Sequence, residues 1–322
     1  MKILSGDIGG TKTLLQIADM TDGQLHIRHA VQFASNAWTG ITPLVEQFLI
    51  NSDFLPEIAC FAIAGPVDGH RAQLTNLPWT DVDADSLARY FGIKQIIFLN
   101  DFQAIGYGID GLAESELAIL QAGNAIHGAP RALLGAGTGL GQSILLWRNG
   151  RYFPLESEGG HVDFAPTNLE QERLWEFLHE RFSHVSYERI LSGAGLVAID
   201  HFLRGSLFHE SNEKDLAMEI STAALTARDP IAVRSLRLFV QIYGQQAGNL
   251  ALTCLARGGV YLAGGIAPRI FPFLIDGEFI RAFRAKGRME RLLIEMPVRV
   301  ILNPEIGLIG ATRFAIQENN LP

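Results

Sequence analysis

The sequence predicts an α/β protein in two domains, and three observations carry that reading. Short apolar runs closed by glycine, proline or Asn-Asp alternate with segments of helical spacing, the pattern of buried strands joined by helices. The chain has 322 residues, long for one domain when a domain averages about 150. One design also occurs twice: an apolar run, a glycine-threonine turn and a second apolar run, over Lys2–Ile17 and again over Arg131–Trp147. Such self-similarity is the mark of a repeated unit. Apolar residues make up 48% of the chain and charged residues 19%, enough for a substantial core.

In the first hairpin, Lys2-Ile3-Leu4 and Leu14–Ile17 flank Gly6-Asp7-Ile8-Gly9-Gly10-Thr11-Lys12-Thr13, a strand, a tight turn and a strand. Glycines let backbone N–H groups approach a ligand with no Cβ in the way, and clustered N–H groups make an anion-binding concavity. Asp7 suits a hydrated Mg²⁺ that arrives with a phosphate. The same stretch alone also fits an ordinary hairpin turn with an exposed acid.

Thr42–Leu49 has helical spacing behind a Thr-Pro start. Ile58–Ala64 is a continuous apolar strand closed by Gly65-Pro66, and Ala72–Leu77 alternates as a short one. Asp85–Phe91 reads as a helix ended by Gly92, and Lys94–Leu99 as a buried strand ending at Asn100-Asp101. Between Gly106 and Gly128 the chain leaves the first domain. The second hairpin places Gly135–Gly141 between Arg131–Leu134 and Gln142–Trp147. Glu156–Pro166 is a polar, glycine-broken loop. Leu169–Phe182 is helical with Leu174, Phe177 and Leu178 at core spacing, Ser186 caps a segment that runs to Gly193, and Ser211–Lys214 is an exposed polar stretch. A helix opens at Asp229-Pro230, carries Val233, Leu236, Phe239, Ile242, Leu250 and Cys254 on one face, and stops at Gly258-Gly259. Val260–Ala263 is a strand that delivers Gly264-Gly265-Ile266-Ala267-Pro268 to another helix. Pro297–Leu302 is the last strand and Asn303–Gln317 the last helix.

Composition excludes several classes of function. A net charge of −8 argues against nucleic acid and anionic membranes as partners, which call for a basic patch. The N-terminus has no signal-peptide core, and no apolar run reaches the ~20 residues of a membrane span. Cys60 and Cys254 sit in apolar runs and read as buried small hydrophobes of a reducing compartment. These features together describe a soluble cytoplasmic protein. Gly10-Thr11-Lys12-Thr13 is no P-loop, because Gly6 stands one residue too close and a strand follows instead of a helix. Gly135–Gly141 is likewise not a Rossmann turn.

Taken together, the two hairpins and Leu262–Pro268 resemble the superfamily of sugar kinases, heat-shock ATPases and actin: two phosphate hairpins and a late glycine pair against the adenosine. Leu99-Asn100-Asp101-Phe102, Glu158-Gly159-Gly160-His161 with Val162–Pro166, and Glu188–Gly193 are similar to the bacterial glucokinase family, in its ATP-dependent branch without zinc. The resemblance runs from Gly6 to the region of Gly307 and Gly310. It implies a ribonuclease H-like (actin-like ATPase) fold: a smaller α/β domain over 1–111 plus 303–322, a larger α+β domain over 112–302, and a cleft between them for glucose and MgATP. It further implies that Asn100, Asp101, Glu158, His161 and Glu188 hold the sugar, with Asp101 as catalytic base. Gly6, Asp7, Ile8, Gly9, Gly10 and Thr11, with Gly137, Thr138 and Gly139, would then hold the phosphates. Gly264 and Gly265 would meet the adenosine, Asp7 would hold Mg²⁺, directly or through water, and the protein would be a homodimer.

The residues support this chemistry on their own. Asn-Asp at the carboxyl end of a buried strand is where α/β sheets expose ligand-binding groups. Sugar hydroxyls both donate and accept, so carboxylates, an amide and an imidazole can satisfy them. Phosphoryl transfer needs positioning, charge neutralisation and one carboxylate to take the attacking hydroxyl's proton. The plain alternatives are a helix cap for Asp101 and surface acids for Glu158 and Glu188. His161 and Asp163 lack the cysteines a structural zinc would add, and Arg151, Arg173 and Arg189 read as solvated charges. Mannose, glucosamine or an N-acetyl sugar could replace glucose, and polyphosphate or ADP could replace ATP. A sugar-sensing regulator would carry a helix-turn-helix ahead of the first hairpin, which here starts at Lys2. A chaperone- or filament-type ATPase would leave the polar cluster without a purpose.

Overall fold

The computed structural model describes residues 1–319 apart from 23, 51, 53–54, 75–76, 80–81 and 207–212. The chain forms two units, Met1–Ala113 with Asn303–Pro322, and Glu114–Leu302.

In the first unit, β1 (Lys2–Ile8), β2 (Lys12–Thr21), β3 (Gln24–Ala34), β4 (Ile58–Ile63) and β8 (Gln95–Asn100) form one sheet in the order β3-β2-β1-β4-β8. Two-residue strands β5 (Val67–Asp68), β6 (Arg71–Ala72) and β7 (Val82–Asp83) make a separate small sheet. β1, β4 and β8 run parallel, β2 is antiparallel to β1, and β3 is antiparallel to β2. β4 is buried at every position because both faces are covered. Ala59, Phe61 and Ile63 join a core with Leu44 and Phe48 of helix Ile41–Ile50 and Leu87 of helix Ala84–Phe91. Ile58, Cys60 and Ala62 face the other way, toward Ala104 of helix Asp101–Gly108 and Ala311 and Ala315 of helix Ile306–Asn319. The last helix is tied to β1 through Thr312, whose hydroxyl donates to Ser5 Oγ at 2.8 Å in the interior.

In the second unit, β9 (Leu117–Gln121), β10 (Arg131–Ala136), β11 (Leu140–Arg148), β12 (Arg151–Leu155), β13 (Gly259–Ala263) and β14 (Val298–Ile301) form a sheet in the order β12-β11-β10-β13-β14-β9. β10, β13 and β14 are parallel; β11, β12 and β9 are antiparallel to their neighbours. Its first five strands repeat the order and directions of the first unit's sheet. The duplicated hairpin is thus part of a five-strand repeat.

Several elements differ from the sequence reading. β3 was not expected, and its pattern explains why: it is an edge strand, largely exposed, so the alternation that marks a buried strand is faint. β9 likewise lies inside the stretch read as a connection, at the far edge of its sheet. The segment from Ser186 is not helical; the helix is Gly193–Arg204, capped by Ser192, whose hydroxyl accepts from the Gly195 N–H. Helix Pro230–Cys254 begins as expected, with the Asp229 carboxylate accepting from Ile231 and Ala232, but it is buried on more than one face. It stops before Gly258, because Leu255 takes a left-handed conformation and caps it. The strand read over Ala72–Leu77 is only β6 at its start, with 75–76 outside the described residues. Of the polar stretch at 211–214, residues 211–212 also lie outside them, and helix Glu213–Leu225 starts within it. No helix among the described residues is long and apolar enough to cross a membrane.

Candidate active site

In the first unit the chemistry collects at the carboxyl ends of the parallel strands β1, β4 and β8, where such sheets open toward ligands. Asn100 ends β8 and caps the helix behind it: its side-chain oxygen accepts from the N–H groups of Phe102 (2.9 Å) and Gln103 (3.4 Å). Its amide nitrogen donates to Gly65 O at the end of β4, at 3.4 Å. The capping role considered for Asp101 therefore belongs chiefly to Asn100. Asp101 is the first helical residue, and one of its oxygens accepts from the Phe102 N–H at 2.9 Å. That bond fixes the carboxylate in the helix's first turn, where the dipole favours negative charge.

Asp7 lies two strands from Asn100 on the same sheet, about 10 Å away at ~4.8 Å per strand. Burial pushes its carboxyl up to about 6, and Lys12 opposes that rise. The crowding comes from the first turn of the C-terminal helix: a Cβ on Gly307 would stand 2.8 Å from Asp7 Oδ2. Only a glycine leaves that carboxylate its room. Among the described residues no group of three His, Cys, Asp or Glu could enclose a metal ion. A lone carboxylate fits Mg²⁺ held largely by waters and phosphate oxygens.

The turn Gly9-Gly10-Thr11 closes with the Gly9 N–H donating to Lys12 O at 3.1 Å. Ser35, wholly buried after β3, clamps it: its hydroxyl donates to Gly9 O at 2.7 Å and its N–H to Thr11 O at 3.1 Å. Thr13 Oγ1 lies 2.9 Å from Ser35 Oγ. Sequence reasoning missed Ser35, because a serine after an unrecognised edge strand carries no signal of its own, and it gave Thr13, though named in the turn, no partner. Gly6 and Ile8 offer no side chain to a ligand. Ile8 belongs to the core, and a Cβ on Gly6 would meet Phe61 and Leu15, so both can serve a phosphate only through their backbone.

In the second unit Glu158, His161 and Glu188 come together. His161 Nε2 lies 3.7 Å from Glu158 Oε2, and its Nδ1 lies 3.7 Å from Glu188 Oε1. The loop is held from behind, with the Gln142 side chain donating to Gly159 O at 3.0 Å and the Glu188 N–H to Gly160 O at 2.9 Å. The Glu158 side chain is 83% exposed and the Glu188 side chain 29%, so one is free to meet a ligand and the other is already held. Asp163 pairs with His184 at 3.3 Å, on the surface.

The hairpin turn Gly137-Thr138-Gly139 closes with the Gly137 N–H donating to Gly139 O at 2.8 Å. Gly264 follows β13 with φ +81°, and a Cβ there would stand 2.4 Å from Ala136 O. This close, left-handed step needs glycine. Around Gly137, Thr138 and Gly265 opens a cavity of about 370 Å³ with Leu196, Met218, Ile266 and Ile270 on its walls. An apolar pocket beside backbone donors suits a nucleobase next to its phosphates. The sequence reading lacked the walls from helices Gly193–Arg204 and Glu213–Leu225. Their apolar residues look like ordinary core in the sequence.

A family model described as glucokinase matches residues 4–318. Among curated proteins, the glucokinase of Nostoc punctiforme is 44% identical over 97% of this chain and 98% of its own. A solved glucokinase from an Antarctic psychrotroph has a TM-score of 0.87 at 29% identity, covering 98% of this chain and 99% of that one. A ROK family glucokinase from Streptomyces griseus, solved with glucose and AMPPNP, has a TM-score of 0.64 at 23% identity, over 98% of this chain and 100% of its own. The fold is the actin-like ATPase fold of these sugar kinases.

Proposed function

The chain belongs to the glucokinase family, and from that premise we infer that it transfers the γ-phosphoryl group of ATP to the 6-hydroxyl of glucose. The observation that carries the assignment of roles is Asp101, a carboxylate fixed at the first turn of a helix, on the ligand-facing edge of the sheet that also holds Asp7.

Asp101 takes the proton of the 6-hydroxyl as the hydroxyl oxygen attacks the γ-phosphorus, whose bond to the bridging oxygen breaks to release ADP. Asn100, oriented by its two capping bonds and its bond to Gly65 O, offers its second amide N–H to a neighbouring hydroxyl. Glu158, His161 and Glu188 bind further hydroxyls, the imidazole between two carboxylates acting as donor to the sugar or to either acid. Backbone N–H groups at Gly6–Thr11 and at Gly137–Gly139 receive the phosphates, and the adenosine lies by Gly264 and Gly265 in the cavity. Asp7 would hold Mg²⁺, directly or through water, and the ion would neutralise phosphate charge. The AMPPNP and glucose in the Streptomyces griseus relative support both substrates. A homodimer, implied by the resemblance, is checked by light scattering.

A coupled assay that reduces NADP as glucose 6-phosphate is oxidised tests the reaction. Pure protein with MgATP and glucose should give sustained turnover, and its absence would overturn the assignment. A panel of mannose, glucosamine and N-acetyl sugars fixes the acceptor range.

A further inference from the structure

We propose that Glu188, beyond binding the sugar, is a positioning residue that props the phosphate-binding hairpin of the second unit. The proposal rests on the glucokinase reading, and concerns how the two ligand sites of that unit are built into each other.

One Glu188 oxygen, Oε1, faces His161 Nδ1 at 3.7 Å. The other, Oε2, accepts the backbone N–H of Leu140 at 2.9 Å, where the hairpin turn rejoins β11. That oxygen fills the space beside Gly139 so closely that a Cβ there would stand 2.5 Å from it. The same short segment touches the turn again at its other end, where the Gly193 N–H donates to Gly137 O at 2.9 Å. Residues 188–193 thus brace Gly137-Thr138-Gly139 on both sides. Glu188 supplies the only one of these two braces that comes from a side chain.

A surface acid kept solely for a sugar would have both oxygens available. Here one is committed to a backbone donor, and a carboxylate on a peptide N–H is a strong, short-range bond. Removing it leaves the Leu140 N–H without its acceptor and opens a gap beside Gly139. The turn then loses the shape in which its N–H groups meet phosphate. A glutamine keeps an oxygen for Leu140 but loses the charge that His161 and a sugar hydroxyl meet.

The test measures ADP affinity by calorimetry with Mg²⁺ and no sugar, alongside glucose affinity, for the wild type, Glu188→Ala and Glu188→Gln. Circular dichroism and thermal melting verify that the variants fold. The expected result is that Glu188→Ala weakens ADP at least about tenfold, ~1.4 kcal/mol, while Glu188→Gln stays within about threefold of wild type (~0.65 kcal/mol) and both lose glucose affinity. Should Glu188→Ala bind ADP like the wild type while losing glucose, Glu188 is a sugar ligand alone and the proposal fails. Equal loss of ADP in both variants also overturns it, since the hydrogen bond is then not the cause. In either case wild-type turnover of glucose leaves the glucokinase reading standing.

Discussion

The two units repeat one sheet, yet their hairpin turns are equipped differently. In the first, the strand before the turn carries Asp7, and β8 ends at Asn100 and leads into Asp101. In the second, the residue two places before the turn is Gly135, and β14 leads into Leu302. Both turns span three residues and both are clamped, by Ser35 in one and by the Glu188–Gly193 segment in the other. The shared sheet therefore supplies a glycine turn twice, while the acids proposed to serve phosphoryl transfer belong to one copy. The second copy takes its carboxylate from a separate segment, and its turn lines an apolar cavity. On the proposed roles, a duplicated scaffold gives two phosphate cradles, and a few residues at strand ends add the chemistry.

The largest expected effect tests that division. Asp101→Asn keeps the helix start but removes the base, and kcat should fall by roughly 10²–10⁴. Glucose and ADP affinities should change little, and the melting temperature should hold. An Asp101→Asn variant with near-full kcat in the coupled assay would remove catalysis from the first unit.

Asp7 comes next, and its sign is opposite to that of a paired carboxylate. Its carboxyl stands at about 6 because of burial, above the ~3.9 of a free aspartate. The folded state thus holds the proton more tightly, so stability from this group is present at low pH and is lost as pH rises from about 4 to about 6. Asp7→Asn should stabilise the ligand-free protein at pH 7 by about 1–3 kcal/mol while abolishing Mg²⁺-dependent turnover. Melting curves from pH 4 to 7 test this. Wild type should lose stability across that window relative to the variant, and a parallel pair of curves would refute the burial account.

Adjacent glycines in the second unit offer a finer comparison. Gly264→Ala forces a Cβ to 2.4 Å from Ala136 O at positive φ, and should cost about 1–3 kcal/mol of strain. At Gly265 a Cβ meets nothing within 4 Å. Gly265→Ala should leave the melting temperature alone and raise the KM for ATP, because it fills space that lines the cavity. Equal melting losses in the two would mean that neither glycine is kept for ligand access.

How much of this was legible in the sequence depends on how each residue declares itself. β4 and β8 were plain because strands buried on both faces are unbroken apolar runs. The turns were plain because they concentrate glycine, and Asn100-Asp101 because an amide and an acid close an apolar run. β3 and β9 were hidden by their places at sheet edges, where one side meets solvent and alternation fades. The proximity of Glu188 to Gly139 could not be read from spacing, since 48 residues separate Glu188 from Leu140. Gly307 marks the far end of the family resemblance, but only the structure shows that its neighbour is Asp7. What sequence conveys is local periodicity and turn chemistry; what it hides is which distant side chain occupies the space a glycine leaves.

The smallest effect concerns the two clamps. Ser35→Ala removes a buried hydroxyl that donates to Gly9 O and meets Thr13 Oγ1, leaving those partners unpaired at roughly 1–3 kcal/mol. The first hairpin loosens while Asp101 and the second unit stay intact, so KM for MgATP should rise several-fold with kcat reduced far less than in Asp101→Asn. Glucose affinity should be unaffected, in contrast to Glu188→Ala, where clamp and sugar ligand are the same residue. Calorimetry with glucose alone separates the two: a clamp that serves only its turn leaves the sugar isotherm unchanged, and a shifted isotherm in Ser35→Ala would show that the first turn also shapes the sugar site.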